Sequence, residues 1–83
     1  MGGLSGLPNV GKVLEKNLME IGINTPEELR DIGAKEAFLR IRLIDPGACL
    51  HMLYGLQGAA EGIRYTALSD AAKDDLRRFF NSL

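Results

Sequence analysis

The feature that most constrains the fold of this chain is a series of helix start and stop signals between short stretches of helical apolar spacing. In the first stretch the apolar residues recur every three or four positions, as on one face of a helix: Val10, Val13, Leu14, Leu18 and Ile21. Gly22 follows as a left-handed C-terminal residue, and Ile23 is expected to pack back on Leu18. The sequence therefore predicts a first helix over about residues 10–21 that ends sharply.

Two further helices are predicted before the middle of the chain. Thr25 and Glu28 have the spacing of a capping box around Pro26, so the second helix begins here, and Gly33 ends it. The third predicted helix covers about residues 35–43. Its expected inner face consists of apolar residues at helical spacing: Ala37, Phe38, Ile41 and Ile44.

Asp45 and Pro46 repeat the pattern of a cap followed by proline, which predicts the longest helix over about residues 46–63. Its apolar face is wide, so we expect it in the centre of the domain: Cys49, Leu50, Met52, Leu53, Leu56, Ala60 and Ile63.

Glycines within this predicted central helix cost about 1 kcal/mol each relative to alanine. They are Gly55, Gly58 and Gly62, and they indicate that another backbone passes close by. Ser69 predicts the cap of a fifth helix, whose inner face would cover the core: Ala72, Leu76, Phe79, Phe80 and Leu83. We therefore predict an all-α fold, a compact single domain of about five short helices over residues 1–83.

Charge and composition restrict the partners of this domain. Ten Lys and Arg stand against 11 Asp and Glu, for a net charge of −1, so the whole chain offers nucleic acid no long-range attraction. The N-terminus lacks the regions of a signal peptide, and the most apolar stretch is shorter than the roughly 20 residues that span a bilayer. We expect a cytoplasmic protein with no membrane partner, whose single cysteine forms no internal disulfide.

The sequence offers catalysis and metal binding little material. Cys49 and His51, the only histidine, are two residues apart, so on a helix they point in different directions. We expect a buried thiol beside a partly exposed imidazole. The carboxylate pairs Glu27-Glu28 and Asp74-Asp75 are better explained as caps and solvated charges. We predict no catalytic residue, no metal site and no cofactor, and hence no enzyme.

The stretch "GLPNVGK" at residues 6–12 is a turn that leads into the first helix. Free backbone N–H groups and the helix dipole favour an anion at such a position. The pattern resembles the hairpin of the helix-hairpin-helix family. Asn9 replaces the first glycine that this hairpin usually has, and the preceding helix would have to fit within residues 1–5. Asparagine tolerates the positive φ that this position requires. The candidate nucleic-acid contacts are Leu7, Pro8, Asn9, Val10, Gly11, Lys12 and Lys16.

A longer resemblance runs from Leu7 almost to Leu83. The segments "LPNVGKVLEKNLMEIGINTPEELRDIGAKEAFLRIRLIDPGACLHMLYGLQGAAEGIRYTALSD" and "LRRFFNSL" resemble the C-terminal domain of the TfoX/Sxy competence-regulator family. The resemblance implies an all-helical domain with a helix-hairpin-helix-like N-terminal part, found after an N-terminal TfoX domain or on its own. It also implies a link to the regulation of natural-competence genes in bacteria and a transcription-related partner.

Two functions remain open from the sequence. The first is a regulatory binding module that associates with DNA through residues 7–12 and Lys16. The second is a protein-protein interaction domain with a purely structural hairpin, whose candidate anchors are Tyr54, Arg64, Tyr65 and Phe80. Helical spacing favours a core position for two of these, Tyr54 and Phe80. The candidate partners are DNA, a transcription-related protein and a second copy of this chain.

Overall fold

Five α-helices make up the part of the fold that the structure describes, and they confirm the all-α prediction. The computed structural model describes residues 4–83. Its α-helices are α1 (Lys12–Glu20), α2 (Pro26–Ile32), α3 (Ala34–Arg42), α4 (Leu50–Glu61) and α5 (Asp70–Asn81), with 3₁₀ turns at Leu4–Gly6 and Tyr65–Ala67. The described part of the chain contains no strand. Of the helix considered for residues 1–5, the first three residues lie outside the described range, and Leu4–Gly6 forms a single turn.

The centre of the fold is α4, as the width of its apolar face predicts. It packs against α2, α3, α5 and the second 3₁₀ turn. Leu53, Leu56 and Ala59 of this helix are fully buried, together with Phe38 of α3. Leu76 of α5 joins the same core, so the helices around α4 share one apolar interior.

The end of α1 closes as the sequence predicts. Gly22 has a φ of 90°, and its N–H donates to the Met19 carbonyl at 3.1 Å. The Ile23 N–H donates to the Leu18 carbonyl at 2.9 Å, which completes a Schellman motif. Leu18 and Ile23 are both fully buried, so this closure also turns the chain into the core.

The start of α4 differs from the prediction, which was wrong to begin this helix at Pro46. Asp45 uses one carboxylate oxygen to accept the Gly47 N–H at 2.8 Å, which forms a local turn. Its other oxygen accepts a hydrogen bond from Nδ2 of Asn17 in α1, also at 2.8 Å. Because this carboxylate is engaged in a turn and in a contact with another helix, it caps nothing, and α4 begins only at Leu50.

Four apolar residues that were expected inside are exposed instead. Ile44 and Leu83 lie beyond the last helical residues of α3 and α5, where the helical spacing no longer applies. Cys49 lies before the late start of α4. Val13 belongs to α1 and is nevertheless 70% exposed, because it faces a groove between α1 and α4. Gly62, expected inside α4, is its left-handed C-cap with a φ of 77°.

Candidate functional site

The hairpin before α1 is held in place by the side chain of Asn9. This residue has a φ of 69°, as the resemblance to a glycine-containing hairpin requires. Its Nδ2 donates to the Ile63 carbonyl at 3.0 Å and more weakly to the Gly55 carbonyl at 3.4 Å. Its Oδ1 accepts the Tyr65 N–H at 3.0 Å. The amide of Asn9 is therefore bonded to α4 and the segment after it, and its role is to fix the hairpin.

Gly55 and Gly58 of α4 lie next to this contact, as expected for the close approach of another segment. The expectation was wrong for Gly62, which has nothing within 4 Å of the place a Cβ would take. A Cβ on Gly58 would lie 2.6 Å from Nδ2 of Asn9 and 2.7 Å from the Ile63 carbonyl oxygen. A Cβ on Gly55 would lie 3.5 Å from the Asn9 Cβ, an ordinary van der Waals distance. Only Gly58 is sterically required for the hairpin to reach α4.

The other candidate contacts of the hairpin are divided between core and surface. Val10 is buried in the core, and Leu7 and Pro8 are half-buried. The exposed members of the predicted set are Gly11, Lys12 and Lys16. A ligand of the hairpin would therefore meet the start of α1 rather than the turn that precedes it.

The start of α1 is open to such a ligand. Gly11 is its N-cap, with extended backbone angles, and has no side chain to accept a hydrogen bond from the first turn. The first N–H groups of a helix have no partner within the helix and lie at the positive end of its dipole. Lys12 and Lys16, one turn apart, add two cations. This combination favours an anion.

A groove of about 580 Å³ separates the start of α1 from the start of α4 and the segment after α4. Its apolar lining comes from Val13 and Leu14 of α1, Met52 of α4 and Tyr65. The Tyr65 ring packs edge-on against His51, with 4.5 Å between the ring centroids. Val13 is exposed because it faces this groove, so its helical spacing gave the wrong burial.

The groove has positive charge without a matching carboxylate. Lys12 and Arg64 line it, and among the described residues no Asp or Glu does. Neither cation forms a salt bridge with another residue in positions 4–83. Elsewhere Lys35 pairs with Asp75 at 2.7 Å. The two groove cations are far apart in the sequence, and only the folding of the chain brings them to one surface.

The four candidate interface anchors separate into two groups. Tyr54 and Phe80 are half-buried and pack on the core, where the Phe80 ring lies 5.9 Å from that of Phe38 between centroids. Arg64 and Tyr65 line the groove. The sequence thus indicated Arg64 and Tyr65 of this surface through their residue types, but gave no signal for Val13 or Met52.

Cys49 and His51 correct one further expectation. Both are exposed, so the predicted burial of the thiol was wrong.

Within residues 4–83 no group of three or more His, Cys, Asp or Glu side chains is arranged to hold a metal ion. Over the same range, no helix has the length and apolar character needed to cross a membrane.

Comparison with known proteins identifies one matching family and several similar proteins. Residues 1–80 match the family described as TfoX C-terminal domain. The chain is 38% identical over 80 residues to Protein Sxy of Escherichia coli. The match covers 96% of this chain and 38% of that protein. It is 31% identical over 80 residues to DNA transformation protein TfoX of Haemophilus influenzae, of which it covers 37%. The chain thus spans less than two fifths of the length of either relative.

Two crystal structures from Listeria monocytogenes have the same fold. One, described as an uncharacterized protein, has a TM-score of 0.94 and 52% identity over 96% of this chain and 91% of that chain. The other, described as a protein of unknown function, has a TM-score of 0.92 and 53% identity over 95% of this chain and 96% of that chain. The architecture is therefore shared well beyond the hairpin.

Proposed function

This chain belongs to the TfoX C-terminal domain family, and we propose that it is a non-enzymatic regulatory module that binds a protein partner through the groove between α1 and α4. The observation that carries the proposal is the apolar lining of the groove, with Val13 exposed to 70% beside Lys12 and Arg64, which form no salt bridge within residues 4–83. Protein interfaces commonly have such an apolar centre with a polar rim.

The composition of the groove supports a protein partner further. Arg64 and Tyr65 are of the residue types that most often dominate binding energy at interfaces. Methionine, present as Met52, adapts its shape to different partners.

The regulatory part of the proposal comes from the relatives. One of them is named a DNA transformation protein, and this chain covers 37% of its length. We extend a role in competence regulation to this chain and place it in the cytoplasm, where its transcription-related partners would be.

Cys49 offers a direct test of the protein-binding surface. It is the only cysteine of the chain, it is exposed, and it lines the groove. A photoreactive group attached to its thiol should cross-link a specific protein in extracts of the source organism, identified by mass spectrometry. Val13→Asp should reduce the yield of that adduct, because a carboxylate would be placed against the apolar contact.

The matched control moves the same label out of the groove. In the double variant Cys49→Ser, Met19→Cys the label lies on α1 at a residue that is 55% exposed and does not line the groove. This variant should give none of the specific adduct. Equal cross-linking from both positions, or no protein adduct from Cys49, would count against the proposal.

DNA association is the second candidate, favoured by the uncapped start of α1 with Lys12 and Lys16 exposed on its first turns. Phosphate oxygens could accept hydrogen bonds from the free backbone N–H groups there. Leu7, Pro8, Asn9, Val10 and Gly11 would then shape the hairpin that presents them. The mixed charge of the chain predicts weak and local binding.

Titration of labelled duplex DNA at several salt concentrations tests this candidate. With two phosphates neutralised, the slope of log K against log salt should be about −2. Lys12→Ala and Lys16→Ala should each weaken binding, whereas Lys73→Ala on α5 should not. The hairpin has no role in DNA binding if the two lysine variants bind as the wild type does, or if nothing binds at low salt.

A further inference from the structure

The groove between α1 and α4 combines an apolar lining with two cations, Lys12 and Arg64, and this combination indicates the chemistry of a partner. We propose that its occupant is an acidic amphipathic segment of a partner protein, with apolar side chains against Val13 and Met52 and carboxylates beside Lys12 and Arg64. The inference rests on the proposed function and adds to it the chemistry of the partner.

The apolar contact requires a segment that presents large apolar side chains on one side. The groove has a volume of about 580 Å³, and its apolar walls include Val13, Leu14 and Met52. The described part of the chain has no strand edge to which an extended peptide could add by backbone hydrogen bonding. The mode that fits a groove lined by aliphatic side chains of two helices is an amphipathic helix or turn that lays its apolar face into the groove.

The cations determine the charge of that segment. Lys12 and Arg64 come from different parts of the chain, and the described groove residues include no Asp or Glu to neutralise them. A segment with Asp or Glu beside its apolar residues would supply the missing partners, whereas a basic segment would be repelled. The complementarity is local, since the net charge of the whole chain is −1.

The same groove fits a nucleic acid less well. Phosphates would satisfy Lys12 and Arg64 but would leave the aliphatic surface of Val13 and Met52 in water. Bases bind mainly by stacking on aromatic rings. Tyr65, the aromatic residue other than His51 in the lining, already packs against that histidine. Apolar peptide side chains match this surface more closely.

Selection from a randomised peptide library displayed against the immobilised full chain tests the inference. We expect the enriched peptides to place Asp or Glu next to Leu, Ile, Met or aromatic residues. The tightest of them, synthesised and titrated by fluorescence anisotropy, should bind less tightly as salt is added, because its carboxylates meet Lys12 and Arg64. Nuclear magnetic resonance shifts should map it to the groove.

Variants of the exposed groove residues provide the second measurement. Val13→Asp and Arg64→Glu should each weaken the selected peptide about tenfold, which corresponds to about 1.4 kcal/mol. The matched controls are Met19→Asp and Arg42→Glu, which alter exposed residues outside the groove. We expect less than about a threefold change for these controls. Circular dichroism should give wild-type helix content for all four variants.

Enrichment of neutral or basic peptides would overturn the inference, as would no enrichment at all or peptides indifferent to both groove variants. Duplex or single-stranded DNA bound in the groove in place of any peptide would also overturn it. A partner cross-linked at Cys49 through a neutral or basic segment would refute the acidic segment while leaving protein binding intact. Without any protein cross-linked at Cys49, the proposed function itself fails.

Discussion

The starts of α1 and α2 solve the same physical problem in different ways. At α2, Thr25 accepts the Glu28 N–H at 3.1 Å, and the Glu28 carboxylate accepts the N–H groups of Asn24 and Thr25 at 2.8 and 3.1 Å. At α1, Gly11 provides no side-chain cap, and the preceding hairpin is fixed by Asn9 through bonds to α4 and Tyr65.

The difference is one of sequence distance. All the partners of the α2 cap lie within four residues, whereas Asn9 reaches residues 46 to 56 positions away. The capping box of α2 engages the Glu28 N–H, and Pro26 at the first helical position has no N–H, so this helix start offers a ligand less than that of α1 does. The start of α1 is positioned by the rest of the molecule and leaves its own N–H groups free, which is why the candidate site lies there.

The largest expected effect comes from breaking the long-range contact. Asn9→Ala should lower the free energy of unfolding by about 3 kcal/mol, because it removes the hydrogen bonds to Ile63 and Tyr65 and puts a Cβ-bearing residue without a polar side chain at positive φ. Urea unfolding measures this loss. Asn9→Gly keeps the backbone conformation and should lose only about 1–2 kcal/mol. If Asn9→Gly equals the wild type, the side-chain bonds do not hold the hairpin.

A methyl group added to α4 at Gly58 should push the hairpin away from α4, because it overlaps with Asn9. Gly58→Ala should lower the free energy of unfolding by about 1–2 kcal/mol, since overpacking against Asn9 and the Ile63 carbonyl exceeds the gain in helix propensity. Gly55→Ala, one turn earlier in the same helix, meets only an ordinary contact and should be neutral or stabilise by up to about 1 kcal/mol. Thermal unfolding of the two variants in parallel compares them. Equal effects would argue against the close approach at Gly58.

The smallest effect is expected at the local cap. Thr25→Ala should lower the free energy of unfolding by about 1 kcal/mol, the usual value for a lost N-cap. The counterpart, Gly11→Ser, offers α1 the cap that it lacks, at a position with open space for a side chain, and should raise stability by a few tenths of a kcal/mol. Chemical denaturation detects the first change directly. A loss at Thr25 as large as that at Asn9 would remove the distinction between the two helix starts.

The parts of the fold that were predictable rest on neighbouring residues. The helix caps bond to residues only a few positions away, so the sequence contained their signals in full. These are the capping box of Thr25 and Glu28, the closure at Gly22 and Ile23, and the cap at Ser69. Asp45 had the same apparent signal as Thr25, yet its carboxylate bonds to Gly47 and to the buried Asn17 of another helix. A local pattern cannot distinguish a cap from a side chain whose partner is distant.

The sequence predicted the part of the candidate site that belongs to the hairpin, but not the groove beside it. The sequence identified the hairpin and Lys12, and the positive φ of Asn9 follows from its place in that pattern. It did not indicate that Arg64 would join Lys12, or that Val13 would be an exposed wall of a groove.

The sequence by itself determined that this chain is helical and where most of its helices end, because caps, glycines and apolar spacing act over a few residues. Its family was indicated by a resemblance that runs along nearly the whole chain. The tertiary structure decided which surface is available for binding. Packing of α4 against the hairpin engages Asn9, leaves the start of α1 open, and brings Lys12 and Arg64 to one groove. These outcomes depend on contacts between residues far apart in the chain, which local patterns do not encode.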